Sequence, residues 1–129
     1  MLVNKNVLII YKVNLAEDTL DEAKLAIENN KPHLAANCIY YSVFNIVSAL
    51  ALQKDFITFK HLELLSWFNK EFVKTEMVDK KLGKFYLDAF KMRQEGDYDD
   101  LVKLDLHYVK VKFTQAQEFV NTIKEVINL

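Results

Sequence analysis

Between Pro32 and Gln53 the chain runs for twenty-two residues without an Asp, Glu, Lys or Arg, and fifteen of them are apolar. A helix of that length can cross a bilayer. His33, Asn37, Ser42, Asn45, Ser48 and Gln53 are spread along it, however, and each is costly in hydrocarbon. The stretch therefore predicts a central helix enclosed by other protein on most sides rather than a membrane span, with Pro32 in the first turn, where its missing N–H costs nothing. Asn37, Tyr41, Asn45 and Ser48 follow one another at four-, four- and three-residue spacing. They form a polar seam on an apolar cylinder. Buried polar groups need partners, so the seam is expected to face another helix, another subunit or a ligand.

A helix of this kind needs neighbours, and the rest of the chain supplies amphipathic ones. Two glycines and one proline in 129 residues leave little punctuation for strands and turns. Leu8, Tyr11, Leu15, Thr19, Ala23 and Ala26 recur at helical spacing, with Glu17, Asp18, Asp21, Glu22 and Lys24 mostly on the other side. This first helix starts between about residues 5 and 15, because Asn14 and Glu17 have capping-box spacing. Asn29-Asn30-Lys31 ends it. After a loop near Asp55 to Thr58, a third helix is expected from about Phe59 to Phe72, capped by Thr58, with Leu62, Leu65, Phe68 and Phe72 inward. Asp79 is placed to cap a fourth over Lys80 to Gln94, with Leu82, Phe85, Ala89 and Met92 inward and Gly96 as its terminator. Asp105 is placed to cap a last helix whose stripe is Tyr108, Val109, Phe113, Ala116, Phe119, Val120, Ile123 and Ile127. The expectation is one all-α domain over residues 1–129, an antiparallel up-and-down bundle of four to five helices.

Composition narrows the function. A net charge of −1 excludes a protein that coats nucleic acid through a strongly basic surface, though not a local phosphate site. The single Cys38, inside the apolar run, reads as a small buried hydrophobe. Val7 to Tyr11 is too short for a secretory signal, and a cytoplasmic location with no membrane partner is expected. No cofactor motif is present: there is no Gly-rich phosphate loop, Cys/His zinc spacing or Ser-His-Asp order. Sixteen of the seventeen basic side chains are lysines, and the one arginine, Arg93, opens the run Arg93-Gln94-Glu95-Gly96-Asp97-Tyr98-Asp99-Asp100. A guanidinium offers carboxylate or phosphate a planar fork that an ammonium cannot imitate. Two readings stand for it, a site with a geometric demand and a local ion pair to Glu95 or Asp97. Asp97, Asp99 and Asp100 lack EF-hand spacing and read as a solvated turn rather than a metal site.

The segment Ala35-Ala36-Asn37-Cys38-Ile39-Tyr40-Tyr41-Ser42-Val43-Phe44 resembles the Asn-x-x-Tyr-Tyr-x-x-Phe central helix of the HEPN superfamily, in particular its small stand-alone members. His61 falls where that group has a Lys-Thr-His segment, and Phe72-Val73-Lys74-Thr75 and Arg93-Gln94-Glu95-Gly96-Asp97-Tyr98-Asp99 complete the resemblance over roughly residues 8 to 127. It implies a helical bundle that forms a homodimer and has an RNA- or nucleotide-related role, often beside a small nucleotidyltransferase in toxin–antitoxin pairs. Ribonuclease members carry a histidine after the arginine, with four to six residues between the two. Here those positions are Tyr98, Asp99 and Asp100, so metal-independent RNA cleavage is not expected in its usual form.

The residues assigned to a ligand site are Arg93, Asp97, Tyr98, Asn37, Tyr41 and His61, with Arg93 and His61 as the catalytic candidates. Arg93 would clamp a phosphate or an acidic group of a partner chain, and His61 has a pKa suited to proton transfer or simply faces solvent. Tyr98 would bond a phosphate, accept a modifying nucleotide or lid the core. Asn37 would orient Arg93 or bridge two helices, and Tyr40, Tyr41 and Phe44 are core positions of which an exposed one could stack a base. Three functions follow: a dimeric module binding nucleotide or RNA at Arg93 and working with a nucleotidyltransferase, a divergent ribonuclease using Arg93 with His61 or a carboxylate, and a purely structural interaction module.

Overall fold

The computed structural model describes residues 4–98 and 104–127, with backbone alone at 95–98. The elements are α1 (Lys5–Glu28), α2 (Pro32–Gln53), α3 (His61–Phe68) continuing into a π-helical turn (Asn69–Val73), α4 (Lys80–Tyr98) and α5 (Leu106–Ile127). The described residues contain no strand.

Contacts between helix ends give the topology. Lys5 at the start of α1 pairs with Asp55 beyond the end of α2 at 2.7 Å, so these two helices run antiparallel. Gln53 at the end of α2 donates from Nε2 to the Ile127 carbonyl at 2.6 Å, which sets α5 parallel to α2. Lys81 meets Glu118 at 3.1 Å and Asp88 meets Lys112 at 3.4 Å, so α4 runs against α5. The four long helices form an up-down-up-down bundle, and α3 is inserted between α2 and α4.

Helix α2 touches α1, α3, α4 and α5. It is long and apolar enough to cross a membrane, but 67% of its most apolar window is buried in the bundle, as a core helix requires. Ile39, Tyr40, Val43, Ile46, Val47 and Leu50 are fully enclosed. Phe68, Tyr86 and Phe119 bring α3, α4 and α5 together around ring contacts of 5.6–5.9 Å.

Several local expectations need correction. Asn4 caps α1, its side chain accepting from the Asn6 N–H at 2.8 Å, so Asn14 lies inside the helix. The buried stripe of α1 is Ile9, Val13, Ala16, Thr19, Ala23 and Ala26. Leu8, Tyr11 and Leu15, expected inward, are 38%, 62% and 37% exposed. The run Val7 to Tyr11 is apolar all round, so periodicity could not fix the rotation there; the small side chains of Ala16, Ala23 and Ala26 decide it by letting α1 close on α2. Thr58 does not cap α3: its Oγ1 accepts from the Lys60 N–H at 3.1 Å in the turn before, and the helix opens at His61. Leu65, Phe68 and Phe72 are buried as expected, but Leu62 is exposed and Leu64 is buried in its place. Gly96 does not end α4, which continues to Tyr98. The caps at Asp79 and Asp105 are present, each carboxylate accepting a backbone N–H two residues on, at 2.9 Å and 3.0 Å.

Candidate functional site

The late opening of α3 determines where its first side chain goes. Lys60 is extended, so the chain turns sharply into the helix and lays the His61 ring on α2. The imidazole stacks on Phe44 at 4.4 Å between centroids and on Tyr40 at 5.5 Å, and meets Tyr41 edge-on at 5.9 Å. The Tyr40 hydroxyl and His61 Nδ1 are hydrogen-bonded at 2.6 Å. Burial lowers the His61 pKa below its ordinary value, and the positive charge of Arg93 lowers it further. Both effects favour the neutral ring.

Arg93 reaches the same cluster from α4. Its guanidinium carbon lies 5.3 Å from the Tyr40 ring centre and 5.1 Å from that of Tyr41, both within cation–π range. Its Nε–H donates to Asn37 Oδ1 at 3.4 Å, a long bond that orients more than it holds. Arg93, Asn37, Tyr41 and His61 are all half-buried, while Tyr40 has no exposed surface. Burial pushes the Tyr40 phenol far above the usual tyrosine range, and Arg93 only partly opposes it. Phe90 closes the cluster edge-on to Tyr40 at 5.9 Å.

Four of the six residues assigned from sequence therefore meet: Arg93, Asn37, Tyr41 and His61. The side chains of Asp97 and Tyr98, like Asp99 and Asp100, lie outside the described residues. Among the described residues no group of three His, Cys, Asp or Glu side chains could hold a metal. Half of the expected polar seam thus has its partner, Asn37 and Tyr41 facing Arg93. Ser48, further along, lines a shallow apolar groove with Leu8, Phe44 and Phe59. Sequence reasoning missed Tyr40, which it assigned to the core; it is core by burial and site by contact, joining Arg93 to His61. Its signal was the Tyr40-Tyr41 pair itself, since adjacent helical residues point about 100° apart and so span the edge between core and cleft.

The arrangement presents a guanidinium fixed over two aromatic faces, an amide and a neutral imidazole along one edge of α2. Such a set can bind an anion, and a base can stack at Tyr41.

A family model described as the HEPN domain matches residues 12–129. A protein of Thermotoga maritima named "UPF0332 protein" is 43% identical over 123 residues, which cover 95% of this chain and 93% of that one. Two proteins of Methanocaldococcus jannaschii also match. "Putative toxin MJ0142" is 30% identical over 115 residues, 89% of this chain and 78% of its own, and "Putative toxin MJ0605" is 26% identical over 115 residues, 89% and 85%.

Proposed function

This chain belongs to the HEPN domain family, and from that premise we propose that it binds a nucleotide or RNA phosphate at the Arg93 cleft as one component of a toxin–antitoxin-type system. The observation that carries the reading is the placement of the one guanidinium in the protein over Tyr40 and Tyr41, beside Asn37 and within electrostatic reach of His61. A planar donor held in one orientation suits the oxygens of a phosphate, and lysine would not meet that geometry. The names of the two archaeal relatives support the system-level part. A homodimer and a small nucleotidyltransferase partner complete the proposal. Tyr11, Ile57 and Phe59, which are 62%, 70% and 90% exposed, offer apolar surface that a second copy would cover. Sedimentation showing only monomer at micromolar concentration contradicts that part.

The ribonuclease reading also gains an observation, because α3 delivers a histidine to the arginine from outside the usual motif. The test of binding is titration of a fluorescent oligouridine into the protein and into Arg93→Lys, at low and at physiological salt. Affinity should fall with salt. Arg93→Lys should bind at least about tenfold more weakly, since a hydrogen bond to a charged group is worth about 1.5–3 kcal/mol. Equal binding by Arg93→Lys removes the phosphate clamp. RNA cleavage abolished by both Arg93→Ala and His61→Ala makes the enzyme reading the better one.

A further inference from the structure

We infer that Tyr40 is the positioning residue of this cleft: its hydroxyl donates to Nδ1 of His61, fixes the ring proton on Nε2, and makes His61 a hydrogen-bond donor rather than a proton acceptor. The inference rests on the phosphate reading for its functional meaning but not for its geometry.

The Tyr40 hydroxyl lies on a side chain with no exposed surface, and its one partner among the described residues is His61 Nδ1 at 2.6 Å. A buried hydroxyl hydrogen needs an acceptor. If Nδ1 carried the ring proton and donated to the phenol oxygen, the phenol hydrogen would be left inside the core with nothing to accept it. If the phenol donates, both groups are satisfied, and a neutral imidazole must then carry its own proton on Nε2. The low imidazole basicity and the high phenol pKa, both caused chiefly by burial, keep the pair in this neutral form.

The ring is also held in place. Tyr40 and Phe44 stack on it at 18° and 19° from parallel, and Tyr41 meets it at 89°. A 180° flip of the ring would put Cδ2 in the place of Nδ1 and break the 2.6 Å bond. Tyr40 also carries the Arg93 guanidinium over its face, so one buried phenol touches both donor groups, the guanidinium and the imidazole. Donors of this kind recognise the unprotonated oxygens of a phosphodiester. A general base is what they do not provide, because the nitrogen that would accept a proton already accepts one from Tyr40. Binding is thereby favoured over cleavage on the residues of this chain alone.

The ring nitrogens of His61 report this directly. In 15N-labelled protein at mildly alkaline pH, we expect one tautomer with a protonated Nε2 and a hydrogen-bonded, unprotonated Nδ1; Tyr40→Phe should give a mixture of both tautomers. A proton on Nδ1 in the wild type, or ring shifts unchanged by Tyr40→Phe, overturns the inference. As a second measurement, His61→Gln places an amide donor near the Nε2 position without any base, and should bind oligouridine within about threefold of wild type, whereas His61→Ala should lose roughly three- to tenfold. Gln as weak as Ala in this comparison overturns the donor role. If the wild type binds no oligouridine, the phosphate reading fails while the nitrogen shifts still decide what Tyr40 does.

Discussion

The core between α3, α4 and α5 contains a polar atom with no bonding partner among the described residues. Tyr86 has no exposed surface, packs against Phe68 and Phe119, and its hydroxyl has no hydrogen-bond partner among the described residues. Burial also raises its pKa well above the ordinary tyrosine value, so ionisation offers no relief. A desolvated and unpaired hydroxyl costs about 1–3 kcal/mol. Tyr86→Phe removes that cost and leaves a void of about 10–15 Å³, which at about 24 cal/mol per Å³ returns only about 0.3 kcal/mol. The net expectation is stabilisation by about 1–2 kcal/mol. At about 2.1 cal/mol/K per residue, 129 residues give an unfolding entropy near 0.27 kcal/mol/K, so each kcal/mol raises Tm by about 4 °C. Urea unfolding followed by circular dichroism measures it, with an unchanged m-value showing that the unfolded state is not the cause. A loss of 1 kcal/mol or more would refute the reasoning, because the hydroxyl would then have to be paired in solution.

Arg93→Ala should cost stability as well as binding, about 1–2 kcal/mol by denaturation, because two partly exposed cation–π contacts at about 0.5–1 kcal/mol each are lost; a change below about 0.3 kcal/mol would contradict the stacked placement. His61 has a folded pKa below its unfolded value near 6.5, so the unfolded chain binds the extra proton first. Its contribution is complete above about pH 6.5 and is lost as pH falls toward the folded pKa, so His61→Gln should flatten the acid limb of a Tm-against-pH curve in that window. Gly83→Ala puts a Cβ 2.9 Å from Val73 Cγ2 and from Asn69 Oδ1. Overpacking of about 1–3 kcal/mol outweighs the roughly 1 kcal/mol gained in helix propensity, and a net stabilisation in thermal melts would show that α4 approaches the π-helical turn less closely.

How much of this was legible beforehand differs from element to element. The limits of α2 could be read to the residue, because Pro32 and the absence of charge marked them. Asp79 and Asp105 likewise marked two helix starts, since a carboxylate before an apolar-periodic run has one structural use. The rotation of α1 and α3 could be read only in part: Thr19, Ala23 and Ala26, and Leu65, Phe68 and Phe72, are buried as expected, while the first turns differ. Leu8 beside Ile9, and Leu62 beside Leu64 and Leu65, offer apolar residues on adjacent directions, and only the packing partner chooses between them. In the site, Asn37, Tyr41, His61 and Arg93 came from residue chemistry and a family resemblance, and the fold joins them across α2, α3 and α4. Tyr40 escaped because the sequence shows one burial preference per residue type, while this side chain has a core body and a hydroxyl that serves the site.

The central claim is that the Arg93 cleft is where a phosphate-bearing ligand sits. Titrating an oligouridine into isotope-labelled protein and following side-chain resonances tests it most directly. The account predicts that the Arg93 Nε–H, the Asn37 side-chain amide and the His61 ring shift together and saturate with one affinity. Shifts confined to the groove between α1 and α5, at Ile10, Glu17 and Lys124, or no shift at any of the three cleft groups while the ligand is bound, would contradict it.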